Sequence, residues 1–163
     1  MIKQAVIQKQ DAKSIEATDI DLGEVAQPYP LIPPGEYDVG FVKAHEMPIF
    51  KGKRLITYWK IQDLSSDYHG TELILGFQFP QKGKKWGALS KMAQCYRIAV
   101  DRDPDRFDVG RLSTRVFKNK LFRAKVVTVT KGNDSKGRKQ AERSQENQYS
   151  VIDILLALNV GCC

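Results

Sequence analysis

The chain has 163 residues, 42% of them hydrophobic and 9% aromatic, with 26 Lys and Arg against 19 Asp and Glu, a formal net charge of +7. That length favours one domain able to bury a core, and the positive balance bears on partners rather than on fold. No apolar run approaches the ~18 residues of a membrane span, so no membrane partner is expected.

The three cysteines, Cys95, Cys162 and Cys163, do not make a disulfide framework. With only His45 and His69 and no CxxC pair, neither a metal site nor a cofactor is expected. The start of the chain lacks the apolar core of a secretory signal, so the cytoplasm is the expected location.

Residues 1–32 read as an arm. They begin basic (Lys3, Lys9, Lys13), turn acidic (Glu16, Asp19, Asp21, Glu24) and show no sustained period apart from a short strand at Lys3–Gln8. Prolines 28, 30, 33 and 34 oppose helix and mark entry to a domain over 33–158, followed by a tail at 159–163. From Gly35 the period is two, with Tyr37, Val39 and Phe41 on the core face. Residues 47–53 read as a turn. Residues 54–62 alternate again, Leu55, Thr57, Trp59 and Ile61 inward, Arg54, Ile56, Tyr58 and Lys60 outward. After the turn at 65–70, a third strand at 71–79 turns Leu73, Leu75, Phe77 and Phe79 to one side.

The spacing of Trp86, Leu89, Ala93 and Tyr96 predicts a helix over 84–99 that contains Cys95. A short helical turn is expected within 108–118. A fourth strand at 121–130 places Phe122, Ala124 and Val126 inward, Arg123 and Lys125 outward. A fifth covers 149–156. Three strands, a helix and a two-stranded hairpin predict a mainly β protein, a five-stranded OB-fold-like barrel with one helix between strands 3 and 4.

Catalytic signatures are missing. There is no GxxxxGK[ST], GxSxG or HExxH. Asp63 and Glu72 flank a turn, as carboxylates of a metal-dependent nuclease do, but the Lys expected just beyond such a Glu is absent; solvated strand ends explain them more simply. His45-Glu46 precedes a turn, where it could contact a phosphate or a metal, but plain surface placement is expected. No enzyme is expected.

Binding has more support. Tyr58 among Arg54 and Lys60 is a platform on which bases stack while phosphates pair with cations. Lys51 and Lys53 lie in the first strand connection, Arg123 and Lys125 on the fourth strand. Lys131, Lys136, Arg138, Lys139 and Arg143 occupy a glycine-containing loop between the fourth and fifth strands. Long loops of this kind are commonly functional. Cations on both connections and on the strand between them form a joint pattern, although any one of them alone is what a half-exposed sheet shows.

The segments Pro33-Pro-Gly-Glu-Tyr-Asp-Val39, Lys60-Ile-Gln-Asp63, Tyr68-His-Gly-Thr-Glu-Leu73, Phe117–Val126 and Tyr149–Ile152 resemble small OB-fold proteins encoded by phages and mobile elements, similar to single-stranded-DNA-binding proteins, over about residues 33–156. The resemblance implies largely sequence-independent binding of single-stranded DNA, or RNA, in replication or recombination. Bacterial single-stranded-DNA-binding proteins recruit partners through an acidic C-terminal tail; residues 155–163 here are apolar, so recruitment by that route is not expected. That end, or the arm, is the expected route of any homo-oligomer. The alternative is an OB-like protein-interaction or assembly module that does not bind nucleic acid.

Overall fold

A computed structural model of the chain describes residues 29–101, 111–133 and 140–159. The protein is mainly β, a five-stranded antiparallel sheet with one helix. In chain order come β1 (Gly35–Ile49), β2 (Gly52–Ile61), β3 (Glu72–Gln78), α1 (Lys91–Ala99), a 3-10 turn at Thr114–Phe117, β4 (Leu121–Val129), the short β5 (Lys131–Asn133) and β6 (Gln140–Glu142), and β7 (Tyr149–Asn159). The main sheet is ordered β3-β2-β1-β4-β7, and β5 pairs only with β6. Strand β7 packs against β3, but no ladder joins them, so the expected barrel is not closed by hydrogen bonds.

The alternation selects the core as expected. Val39, Trp59, Ile61, Leu73, Leu75, Phe122, Ala124 and Val126 are all buried. Trp59 lies at the centre, its ring centroid 5.4 Å from those of Phe41 and Phe117 and 5.6 Å from that of Phe122, in edge-on geometries that aromatic quadrupoles favour.

Three local expectations need correction. First, 47–53 is not an open turn. The β1–β2 ladder runs to Ile49↔Gly52, leaving a two-residue turn, Phe50-Lys51. Gly52 has φ 153°, a conformation that a side chain disfavours.

Second, the helix starts at Lys91, not at 84. The Ser90 hydroxyl accepts from the Ala93 N–H and caps it there. Trp86 therefore precedes the helix and packs on Phe79 at 5.3 Å, while Leu89, expected inward, is 76% exposed. Cys95 is fully buried within the helix, and burial pushes its thiol up to about 11.

Third, β7 extends to Asn159, beyond the expected end at 156. The expected short strand at Lys3–Gln8 lies outside the described residues. What is described of the approach to β1 is bonded to β7. The Ser150 N–H donates to the Pro30 carbonyl at 2.8 Å, and the Ser150 hydroxyl accepts from the Ile32 N–H and donates to the Ile32 carbonyl, both at 2.9 Å. Asn119, with φ 57°, makes the left-handed turn into β4.

Candidate nucleic-acid interface

A β-bulge between Phe41 and Lys43 decides which side chains share the outer face of the sheet. Strict alternation would carry Lys43 to the core side behind Tyr37, Val39 and Phe41. The extra residue, Val42, shifts the phase, so Ala44 turns inward opposite Thr57 while Lys43 and His45 come out opposite Tyr58 and Ile56. The outer face of β1, β2 and β3 is then built of cross-strand rows: Lys43–Tyr58–Ile74, His45–Ile56–Gly76 and Met47–Arg54–Gln78.

Tyr58 is the centre of this face. Its ring stacks with His45 at 5.4 Å and 28°, and Lys43 Nζ lies 4.8 Å from its centroid. Burial raises its phenol above the usual tyrosine value, with the charges of Tyr29 and Glu72 adding to the effect. His45 and Lys43 were not among the expected binding residues. The bulge that exposes them leaves no periodic trace in the sequence.

The other expected residues divide. Lys51 is exposed at the turn, its Nζ 6.0 Å from the Phe50 ring. Arg54 is exposed and reaches over Gly76 beside a cleft of about 310 Å³ bordered by Gln78, Trp86 and Lys91. Lys60 is exposed opposite Glu72. Lys53 is engaged, with Nζ 2.9 Å from the Glu46 carboxylate, although both side chains remain solvated and the pair is weak.

Arg123 is engaged more firmly. Its Nε lies 3.0 Å from Asp38 Oδ1, an ionic contact not aligned as a hydrogen bond. Lys125 faces Glu36 across the ladder. The β1–β4 half of the outer face is thus charge-balanced, whereas Arg123 and Lys125 were expected to add to the cationic pattern.

The loop between β4 and β7 departs from the opposite end of the sheet, since β4 runs past Gly35 to Val129 while the Phe50-Lys51 turn lies at the far end of β1. Lys131 is exposed there. Arg143 is folded back onto the loop: its backbone N–H donates to the Thr130 carbonyl at 2.7 Å, its Nε donates to the Lys131 carbonyl at 3.3 Å, and its guanidinium lies 5.2 Å from the Tyr149 ring. A Cβ on Gly132 would come within 2.9 Å of that guanidinium, so a larger residue there would displace the flexible Arg143 side chain. Tyr149 in turn meets Tyr29 at 5.2 Å, a second aromatic pair absent from the sequence reading. Lys136, Arg138 and Lys139 lie outside the described residues.

The start of the helix at Lys91 rather than at 84 has a consequence for charge. Lys82, Lys84 and Lys85 are exposed in an irregular segment that follows β3. Lys84 and Lys85 were expected within the helix, whereas here all three extend from irregular chain.

The carboxylates considered for nuclease chemistry do other things. Asp63 Oδ1 accepts from the Ser65 N–H at 2.9 Å and from its hydroxyl at 2.7 Å, and these bonds lower its pKa. Glu72 faces Lys60. Among the described residues no group of three His, Cys, Asp or Glu is placed to hold a metal ion, and no helix is long and apolar enough to cross a membrane.

Compared with protein-family models, curated proteins and solved structures, the chain matches none.

Proposed function

We propose that the protein is an OB-fold that binds single-stranded nucleic acid, DNA in the first instance, with little sequence preference, of the kind that serves replication or recombination of a phage or mobile element. The observation that carries this reading is the outer-face row in which Tyr58, stacked on His45, sits beside Lys43, with Arg54 and Lys60 on the same strand. Aromatic and cationic groups interleaved on an open sheet suit a strand whose bases stack and whose phosphates pair with lysine, whatever the sequence. The strand order β3-β2-β1-β4-β7 and the helix between β3 and β4 support the OB-fold reading, although the seam between β3 and β7 is packed without being hydrogen-bonded. Lys51, Lys82, Lys84 and Lys85 add charge where the strand would leave the sheet.

Titrating a labelled oligonucleotide at two salt concentrations tests this. Binding should weaken steeply with salt as counterions are released, and Lys43→Ala with Lys60→Ala should reduce the slope of log K against log salt by about 1–2. Arg123→Ala should leave that slope unchanged, because its guanidinium already neutralises Asp38. Absence of binding at low salt, or binding indifferent to salt, would rule the reading out. Cleavage on adding magnesium would instead favour a metal-dependent nuclease acting through Asp63 and Glu72.

A further inference from the structure

Phe50 is 97% exposed, more than any other large apolar side chain among the described residues. It occupies the first position of the two-residue turn between β1 and β2, on a ladder paired without interruption from Lys43↔Tyr58 to Ile49↔Gly52. The ring is therefore held out on a paired ribbon. An apolar side chain exposed singly is ordinary, and Leu64 and Leu89 are such cases. Phe50 differs in its surroundings. Lys51 follows it, with Nζ 6.0 Å from the ring, and the half-exposed Met47 beside Arg54 leads back along the outer face towards His45 and Tyr58. A flat apolar ring next to a cation, at the end of an aromatic and cationic face, matches a nucleotide, whose base stacks while its phosphate meets the ammonium.

We propose that Phe50 is the terminal nucleobase-stacking contact of the interface, with Lys51 Nζ taking the adjacent phosphate. This rests on the single-strand-binding reading above and adds which residue ends the track of bases.

Because the ring packs on so little of its own protein, Phe50→Ala should keep the wild-type melting temperature, which separates binding from folding. The experiment measures binding of the full chain by fluorescence anisotropy, against a labelled oligothymidylate and an abasic oligomer of equal length. A third arm measures co-sedimentation with phosphatidylserine-containing vesicles. Phe50→Ala should weaken oligothymidylate binding about tenfold or more, the scale of one lost stacking contact. It should leave abasic-oligomer binding unchanged, and Phe50→Trp should restore the loss. Equal affinity of variant and wild type for oligothymidylate overturns the proposal, as does an equal loss on both oligomers. Wild-type vesicle binding that Phe50→Ala abolishes while oligothymidylate binding stays intact assigns the ring to a lipid surface and overturns it too. A wild-type chain that binds neither oligomer removes the functional reading and the role of Phe50 together.

Discussion

Thr57 shows how much one hydroxyl organises. It is fully buried, donates to the Leu75 carbonyl at 2.8 Å and accepts from Trp59 Nε1 at 2.7 Å, tying β2 to β3 and satisfying the indole at the centre of the core. Alternation alone places Thr57 inward, but its partners depend on the register with β3, which no single strand encodes. Thr57→Val preserves shape and removes both bonds, leaving the indole N–H without its buried acceptor. Such a loss costs about 1–3 kcal/mol. Urea unfolding should show that drop, and Thr57→Ser should recover most of it; a variant as stable as wild type would mean that the indole finds another acceptor. The same distinction between position and partner separates the candidate binding residues. Lys60 and Arg54 were legible as outward cations and remain exposed. Arg123 was equally legible as outward, yet Asp38, four-fifths buried and opposite it on β1, claims its charge.

At the level of elements, the helix is the clearest case of a pattern read correctly but started too early. Of the expected face Trp86, Leu89, Ala93 and Tyr96, only Ala93 is buried; Met92, Cys95 and Ala99, which also fit a helical face, are buried with it. The deciding signal was Ser90, an N-cap residue type at the true boundary. Ser90→Ala removes the bond to the Ala93 N–H and should cost about 1 kcal/mol, seen as a fall of about 2–4 °C in melting temperature. An unchanged melting temperature would show that α1 is held by packing alone. Strand existence and order were readable from alternation and turn residues. The bulge at Val42 was not, because one inserted residue looks the same in sequence as a regular strand with an unlucky polar position. That single residue determines whether Lys43 and His45 join Tyr58, so the candidate site was only partly visible even where the strand carrying it was plain.

For the whole molecule, the outward charges acquire meaning only through neighbours brought together from far apart in sequence. The β1–β4 half is balanced by Asp38 and Glu36, and the β1–β2–β3 half keeps its positive excess. The bonds from Ser150 to Pro30 and Ile32 join distant parts of the chain, Ile32 and Ser150 being 118 positions apart. Closing so large a loop is entropically slow to be rewarded, whereas β1, β2 and β3 are joined by connections of only two and ten residues. The order of events in folding should follow: the three-stranded meander assembles first, and the clasp between the chain before β1 and the start of β7 closes after the rate-limiting barrier. Ser150→Ala should then leave the refolding rate nearly unchanged and speed unfolding roughly 5- to 30-fold, the kinetic equivalent of about 1–2 kcal/mol. Stopped-flow chevrons would decide it, and a refolding rate that fell by the full amount would place the clasp before the barrier. A contact that forms late is also among the first to break, so the two ends of the domain would part while the sheet between them still held.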